Sequence, residues 1–79
     1  MEPEYSKQAE KFLDRQNDKT YNRIKAAVND LPDGDVKKVQ GHKDLYRLRV
    51  GGFRIVFAMV NNNIFVKTID NRGQIYRHL

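Results

Sequence analysis

The sequence predicts an α+β domain, with two N-terminal helices packed on one face of a small antiparallel sheet. Three observations predict it. Apolar residues recur at helical spacing up to Leu31, they alternate with polar residues beyond Gly34, and Gly51-Gly52 separates two alternating segments in the way a two-residue hairpin turn requires.

Ser6 can cap a first helix running to about Arg15, because Ala9, Phe12 and Leu13 then share one face. Asp18 can cap a second helix to about Asp30, with Tyr21, Ile24, Val28 and Leu31 as its apolar stripe and Lys19, Asn22, Arg23 and Asn29 outside. The short Gln16-Asn17 link makes the two a helical hairpin. Pro32-Asp33-Gly34 ends the second helix: the residue before a proline avoids the helical region, and glycine accepts a positive φ. Strands are expected at Val36–Val39, Leu45–Val50, Phe53–Val60 and Ile64–Ile69, with a polar loop at 40–44 and a tight turn at Asn61-Asn62-Asn63. Any strand before Ser6 must be short. With no repeat or linker, residues 1–79 read as one domain.

Composition narrows the chemistry. Fifteen Lys and Arg against ten Asp and Glu, a formal charge of +5 on 79 residues, favour a polyanionic partner. Without cysteine there is neither a disulfide framework nor a thiolate for zinc or nucleophilic chemistry. The opening Met1-Glu2-Pro3-Glu4-Tyr5 has no signal-peptide pattern, and the longest apolar run, Ile55 to Val60, is too short to cross a bilayer. A soluble cytoplasmic protein without membrane association is expected. His42 stands in a loop without ligand-spaced neighbours, so neither metal nor cofactor is expected. No glycine-rich phosphate loop precedes a helix, and the lone serine, Ser6, reads as a cap, which leaves hydride and acyl transfer unsupported.

The glycine hairpin sets a register. If Gly51 and Gly52 form the loop, Val50 faces Phe53, Arg49 faces Arg54, Leu48 faces Ile55 and Tyr46 faces Phe57. Tyr46, Leu48, Val50, Phe53, Ile55 and Phe57 then meet the helices, while Arg47, Arg49 and Arg54 gather on the opposite face. Like charges directly opposed on a sheet cost up to about 1 kcal/mol. The pair is therefore either a solvated polar surface or an anion site, for which arginine's planar fork suits bidentate phosphate contact. Lys37 and Lys38 lie just upstream; Lys67 joins this face if the asparagine turn has two residues and leaves it if three. In the tail, Tyr76 and His78 alternate around Arg77, which pairs a phenol with the side chain best suited to proton transfer near neutral pH. The plainer alternative is an inert terminus.

Tyr5-Ser6 with Ala9 and Lys11-Phe12-Leu13, the run Gly34 to Gly41, Tyr46-Arg47-Leu48-Arg49-Val50-Gly51-Gly52-Phe53-Arg54-Ile55-Val56-Phe57, and the closing Ile69 to Arg77 together resemble the RelE/ParE toxin superfamily over nearly the whole chain. The resemblance implies the RelE-like fold and a toxin of a type II toxin–antitoxin system. It further implies a metal-independent endoribonuclease, an mRNA interferase that cuts mRNA in the ribosomal A site and so inhibits translation, the RNA's own 2′-hydroxyl attacking the adjacent phosphate. By motif match Arg54 and Arg72 serve the cleavage, Tyr76 matches the family's C-terminal tyrosine, and His78 resembles a catalytic histidine of some relatives. Arg47 and Arg49, with Lys37 and Lys38, would hold the RNA backbone. Arg47 stands where lysine is common, which keeps phosphate binding but removes proton transfer. An acidic RelB-like antitoxin is implied as partner, with operator DNA reached only through it. A ParE-like inhibitor of DNA gyrase without nuclease activity is the main rival, and a non-catalytic RNA-binding module the third reading.

Overall fold

Both helices start at side-chain caps, and the caps explain where they start. Ser6 accepts from the backbone N–H of Ala9 at 3.1 Å, and Asn17 accepts from that of Thr20 at 2.8 Å. The second cap is thus Asn17; Asp18 is the first helical residue, where its negative charge faces the positive end of the helix dipole. The computed structural model describes residues 2–71 and orders the elements as β1 (Glu4–Tyr5), α1 (Lys7–Asp14), α2 (Asp18–Asn29), β2 (Asp35–Lys38), β3 (Leu45–Val50), β4 (Phe53–Val60) and β5 (Asn63–Asn71).

These strands form one five-stranded sheet in the order β1-β5-β4-β3-β2. It is antiparallel except at one edge, where the two residues of β1 pair parallel with Phe65 and Val66 of β5. The parallel pair departs from the wholly antiparallel expectation. From this edge the helical hairpin carries the chain across the sheet to the opposite edge, where β2 begins the antiparallel run. Val39 falls just outside β2, although its N–H still donates to the Leu45 carbonyl at 2.9 Å.

The hairpin register is the one the sequence predicts, with Val50, Arg49, Leu48 and Tyr46 opposite Phe53, Arg54, Ile55 and Phe57. Gly51 takes φ +57° to make the turn, and a Cβ there would come within 3.0 Å of the Arg23 guanidinium. The next turn has two residues, Asn61 and Asn62, both at positive φ (52° and 68°), so Val60 pairs with Asn63. A two-residue turn would bring Lys67 onto the arginine face. A β-bulge intervenes: Val56 pairs with Thr68 but Phe57 with Val66, and Lys67 is the extra residue that the register passes over.

The helices cover the apolar face. Ala9, Leu13, Ile24 and Val28 pack with Leu48, Val50, Ile55, Phe57, Val66 and Ile69 as one buried cluster. Phe12 meets Phe53 edge-on with ring centroids 5.8 Å apart, and Tyr46 stacks on Phe57 at 5.7 Å. Helix α1 also closes the β5 edge. The Ser6 hydroxyl donates to the Lys67 carbonyl at 2.6 Å, and the Gln8 side-chain amide both donates to the Ile69 carbonyl and accepts from its N–H, each at 3.0 Å.

Candidate nucleic-acid interface

Because side chains alternate along a strand, every core residue of β3 and β4 is flanked by residues aimed at the opposite, helix-free face. Two cross-strand rows result. In the first, Asp35, Arg49, Arg54 and Asp70 stand side by side across β2, β3, β4 and β5. In the second, one step along, Lys37, Arg47, Val56 and Thr68 are neighbours in the same way.

The first row explains how two opposed arginines are tolerated. Each has a carboxylate as its other cross-strand neighbour, Asp35 beside Arg49 and Asp70 beside Arg54, and opposite charges at this spacing attract where like charges repel. Neither aspartate was singled out from the sequence. Their positions follow only once Asp35 is known to open β2 and β5 to run to Asn71. The second row has no such compensation: Lys37 and Arg47 are followed by Val56 and Thr68. Across these two rows four cations against two carboxylates leave a net positive charge, with the excess on the Lys37–Arg47 side.

Burial ranks these cations. Arg54 is only 8% exposed, the one charged side chain in the buried set of the described residues, whereas Arg47 is half-buried and Arg49 and Lys37 are exposed. Lys37, Arg47, Arg49 and Arg54 line one shallow cleft together with Asp35. A guanidinium held by surrounding structure is a preorganised donor, suited to a phosphate or to the extra charge of a pentacoordinate phosphorus.

Four of the residues expected at this site thus converge: Lys37, Arg47, Arg49 and Arg54. Lys38 does not join them. It faces Tyr46, which belongs to the helix-covered side, so period-two alternation turns it away from the cleft. Arg72, Tyr76 and His78 lie outside the described residues. His42 sits exposed in the loop before β3. Among the described residues no group of three or more His, Cys, Asp or Glu could hold a metal ion, and no helix is long and apolar enough to cross a membrane.

Among the described residues, the one clearly perturbed titratable group lies on the other side of the sheet. Burial, with Tyr21 as a lesser contribution, pushes the Tyr5 phenol up to about 12, and its buried hydroxyl has no hydrogen-bond partner. The Lys25 ammonium lies 4.4 Å from the centre of the Tyr5 ring. This is a cation–π contact that supports the ring without satisfying the hydroxyl.

Residues 4–76 match the family model described as ParE toxin of type II toxin-antitoxin system, parDE. Among curated proteins, Toxin RelE3 of Methanocaldococcus jannaschii is 36% identical over 50 residues, which amount to 63% of this chain and 56% of that protein. The match therefore spans little more than half the length of that relative. Among solved structures, the RelB-RelE antitoxin-toxin complex from Methanococcus jannaschii aligns with a TM-score of 0.80 at 24% identity, covering 96% of this chain and 98% of that one. The archaeal RelE-RelB complex from Pyrococcus horikoshii OT3 gives 0.69 at 24% identity, covering 94% and 99%. At such identity the structural matches speak for the fold, and it is the family model, spanning nearly the whole chain, that places this protein among the ParE toxins of type II toxin–antitoxin systems, within the RelE/ParE superfamily.

Proposed function

We propose that this toxin is a metal-independent endoribonuclease that cuts mRNA on the ribosome, with the arginine face as its RNA-binding and catalytic surface. The observation that supports it most is the gathering of Lys37, Arg47, Arg49 and Arg54 in one cleft on a rigid sheet, with Arg54 held almost buried.

The chemistry follows from what RNA supplies. The 2′-oxygen bonds to the adjacent phosphorus and the bond from phosphorus to the 5′-oxygen breaks, leaving a 2′,3′-cyclic phosphate and a 5′-hydroxyl. The 2′-hydroxyl proton passes to a base and the departing 5′-oxygen takes one up. Arg54 stabilises the negative charge that accumulates on the phosphorane, while Arg49, Arg47 and Lys37 hold the flanking backbone. Arginine is a poor base at neutral pH, so proton transfer falls to another group. His78 is the residue we assign to it, with Arg72 assisting the leaving group and Tyr76 orienting a base.

The structural relatives were solved as RelB-RelE complexes, and the antitoxin in this reading is a RelB-like chain, acidic to match the basic face, working in the cytoplasm and carrying any operator-DNA contact itself. A second reading is supported by the family model, which is that of ParE toxins: inhibition of DNA gyrase by protein contact, without cleavage.

Primer extension on an mRNA in a translating extract separates the two, with wild type compared against Arg54→Ala and Arg49→Ala and a gyrase supercoiling assay in parallel. Discrete, translation-dependent cuts lost in Arg54→Ala are expected. Intact RNA together with gyrase inhibition would move the protein to the second reading.

A further inference from the structure

The open face changes character beyond the cations. Two residues along β4 from Val56 comes Ala58, opposite Leu45 on one side and Phe65 on the other. Phe65 points to this face because its neighbour Val66 pairs with Phe57 inside the core. It remains 38% exposed, and with Val60 it makes up the exposed large apolar residues of the described chain.

Directly beside Phe65 in the parallel pair stands Glu4, and Glu2, Glu4, Asn63, Ile64 and Phe65 line a cavity of about 380 Å³. One end of the face thus offers cations and the other an aromatic ring next to carboxylates. Phosphate suits the first end and is repelled by the second. A nucleobase suits the second, since its flat face stacks on phenylalanine and an exocyclic amino group can donate to a carboxylate. With strands about 4.8 Å apart and about 3.3 Å per residue, two strands across and two residues along put the Phe65 and Arg47 backbones roughly 12 Å apart. Side chains of these lengths can reach neighbouring parts of one short RNA segment across that gap.

We propose that Phe65 is a stacking platform for an unpaired base of the RNA whose backbone the arginines hold, and that Glu4 accepts a hydrogen bond from that base, favouring amino-bearing bases over uracil. The inference rests on the RNA reading of the arginine face. It adds a base-recognition subsite to a surface otherwise built for backbone charge.

The test is fluorescence titration of a short single-stranded RNA, 2′-O-methylated so that it cannot be cut, with 2-aminopurine placed at successive positions. Wild type is expected to quench the probe at one position. Phe65→Leu should abolish that quench and weaken binding about tenfold while leaving the salt dependence unchanged, since stacking carries no counterions; Phe65→Tyr should keep the quench. Glu4→Gln should narrow the preference for 2-aminopurine over uracil at that position. Arg47→Ala should reduce the salt slope by about one and keep the quench at saturating protein. If Phe65→Leu quenches and binds as wild type does, the stacking site is overturned and the RNA reading stands. If wild type binds no RNA, both fall. If Phe65→Leu affects only association with a protein partner, the surface belongs to that partner and the proposal is overturned.

Discussion

The two faces of the sheet are made from the same strands in strict alternation, yet they are held to opposite standards. On the covered face Leu48, Ile55, Phe57, Val66 and Ile69 are buried against the helices, and any change of volume there is felt throughout the core. On the open face Lys37, Arg47 and Arg49 have no helix above them, and their value lies in charge and position. The difference teaches that folding and binding are separable here residue by residue: neighbours along β3 such as Leu48 and Arg49 answer to different demands.

Substitutions that act on one face alone sharpen this comparison. The largest effect is expected from Phe57→Ala, which should lower the stability to urea by about 3–5 kcal/mol by opening a cavity where β4 meets the helices. Gln8→Ala should come next, at about 1–2 kcal/mol, because it removes both hydrogen bonds that tie α1 to the Ile69 backbone. Loss of amide-exchange protection at Ile69 is the specific readout.

Tyr5→Phe should act in the other direction, raising stability by less than about 1 kcal/mol, since it deletes a buried hydroxyl without a partner. It also carries a pH signature. A phenol raised from 10.0 to about 12 contributes stability that is complete below pH 10 and lost as the pH climbs toward 12. Wild type should therefore lose stability across that window and Tyr5→Phe should lose less; absorbance titration of the tyrosines checks the assignment. The smallest effect on folding belongs to Arg47→Ala, within about 0.5 kcal/mol, while under the proposed RNA reading of this face its affinity for RNA should fall. An Arg47→Ala protein that melted like Phe57→Ala would break the separation of the faces.

The sequence made some of this architecture legible, for reasons that differ by element. The β3–β4 register was readable because Gly51-Gly52 leaves one economical turn, and a two-residue turn determines every pair that follows. That is also why the Arg49–Arg54 pair and the neighbouring Arg47 could be placed in advance. The pairing of β1 with β5 was not readable: two residues carry too little pattern, and their partners lie some sixty positions away. The bulge at Lys67 was hidden for a related reason, since an extra residue leaves composition unchanged while altering the alternation around it. Lys37 and Lys38 were equivalent as neighbours in sequence and became different only when Asp35 was seen to pair with Arg49, which sets the parity of β2. The compensating roles of Asp35 and Asp70 emerged from the same two registers.

The Gln8 bracket has a consequence for assembly. With its side-chain amide occupying both backbone groups of Ile69, and Ser6 occupying the carbonyls of Val66 and Lys67, helix α1 supplies the hydrogen bonds that an incoming strand would otherwise make along this part of β5. The far edge at β2 has no such bracket from a helix and is guarded instead by the charges of Lys37 and Lys38, with the Val36 N–H turned back onto the Gly34 carbonyl at 3.0 Å. A building block that can be joined on one side only makes pairs, whereas an endless stack needs two joinable sides. By sealing β5 the molecule forgoes the geometry of a fibre.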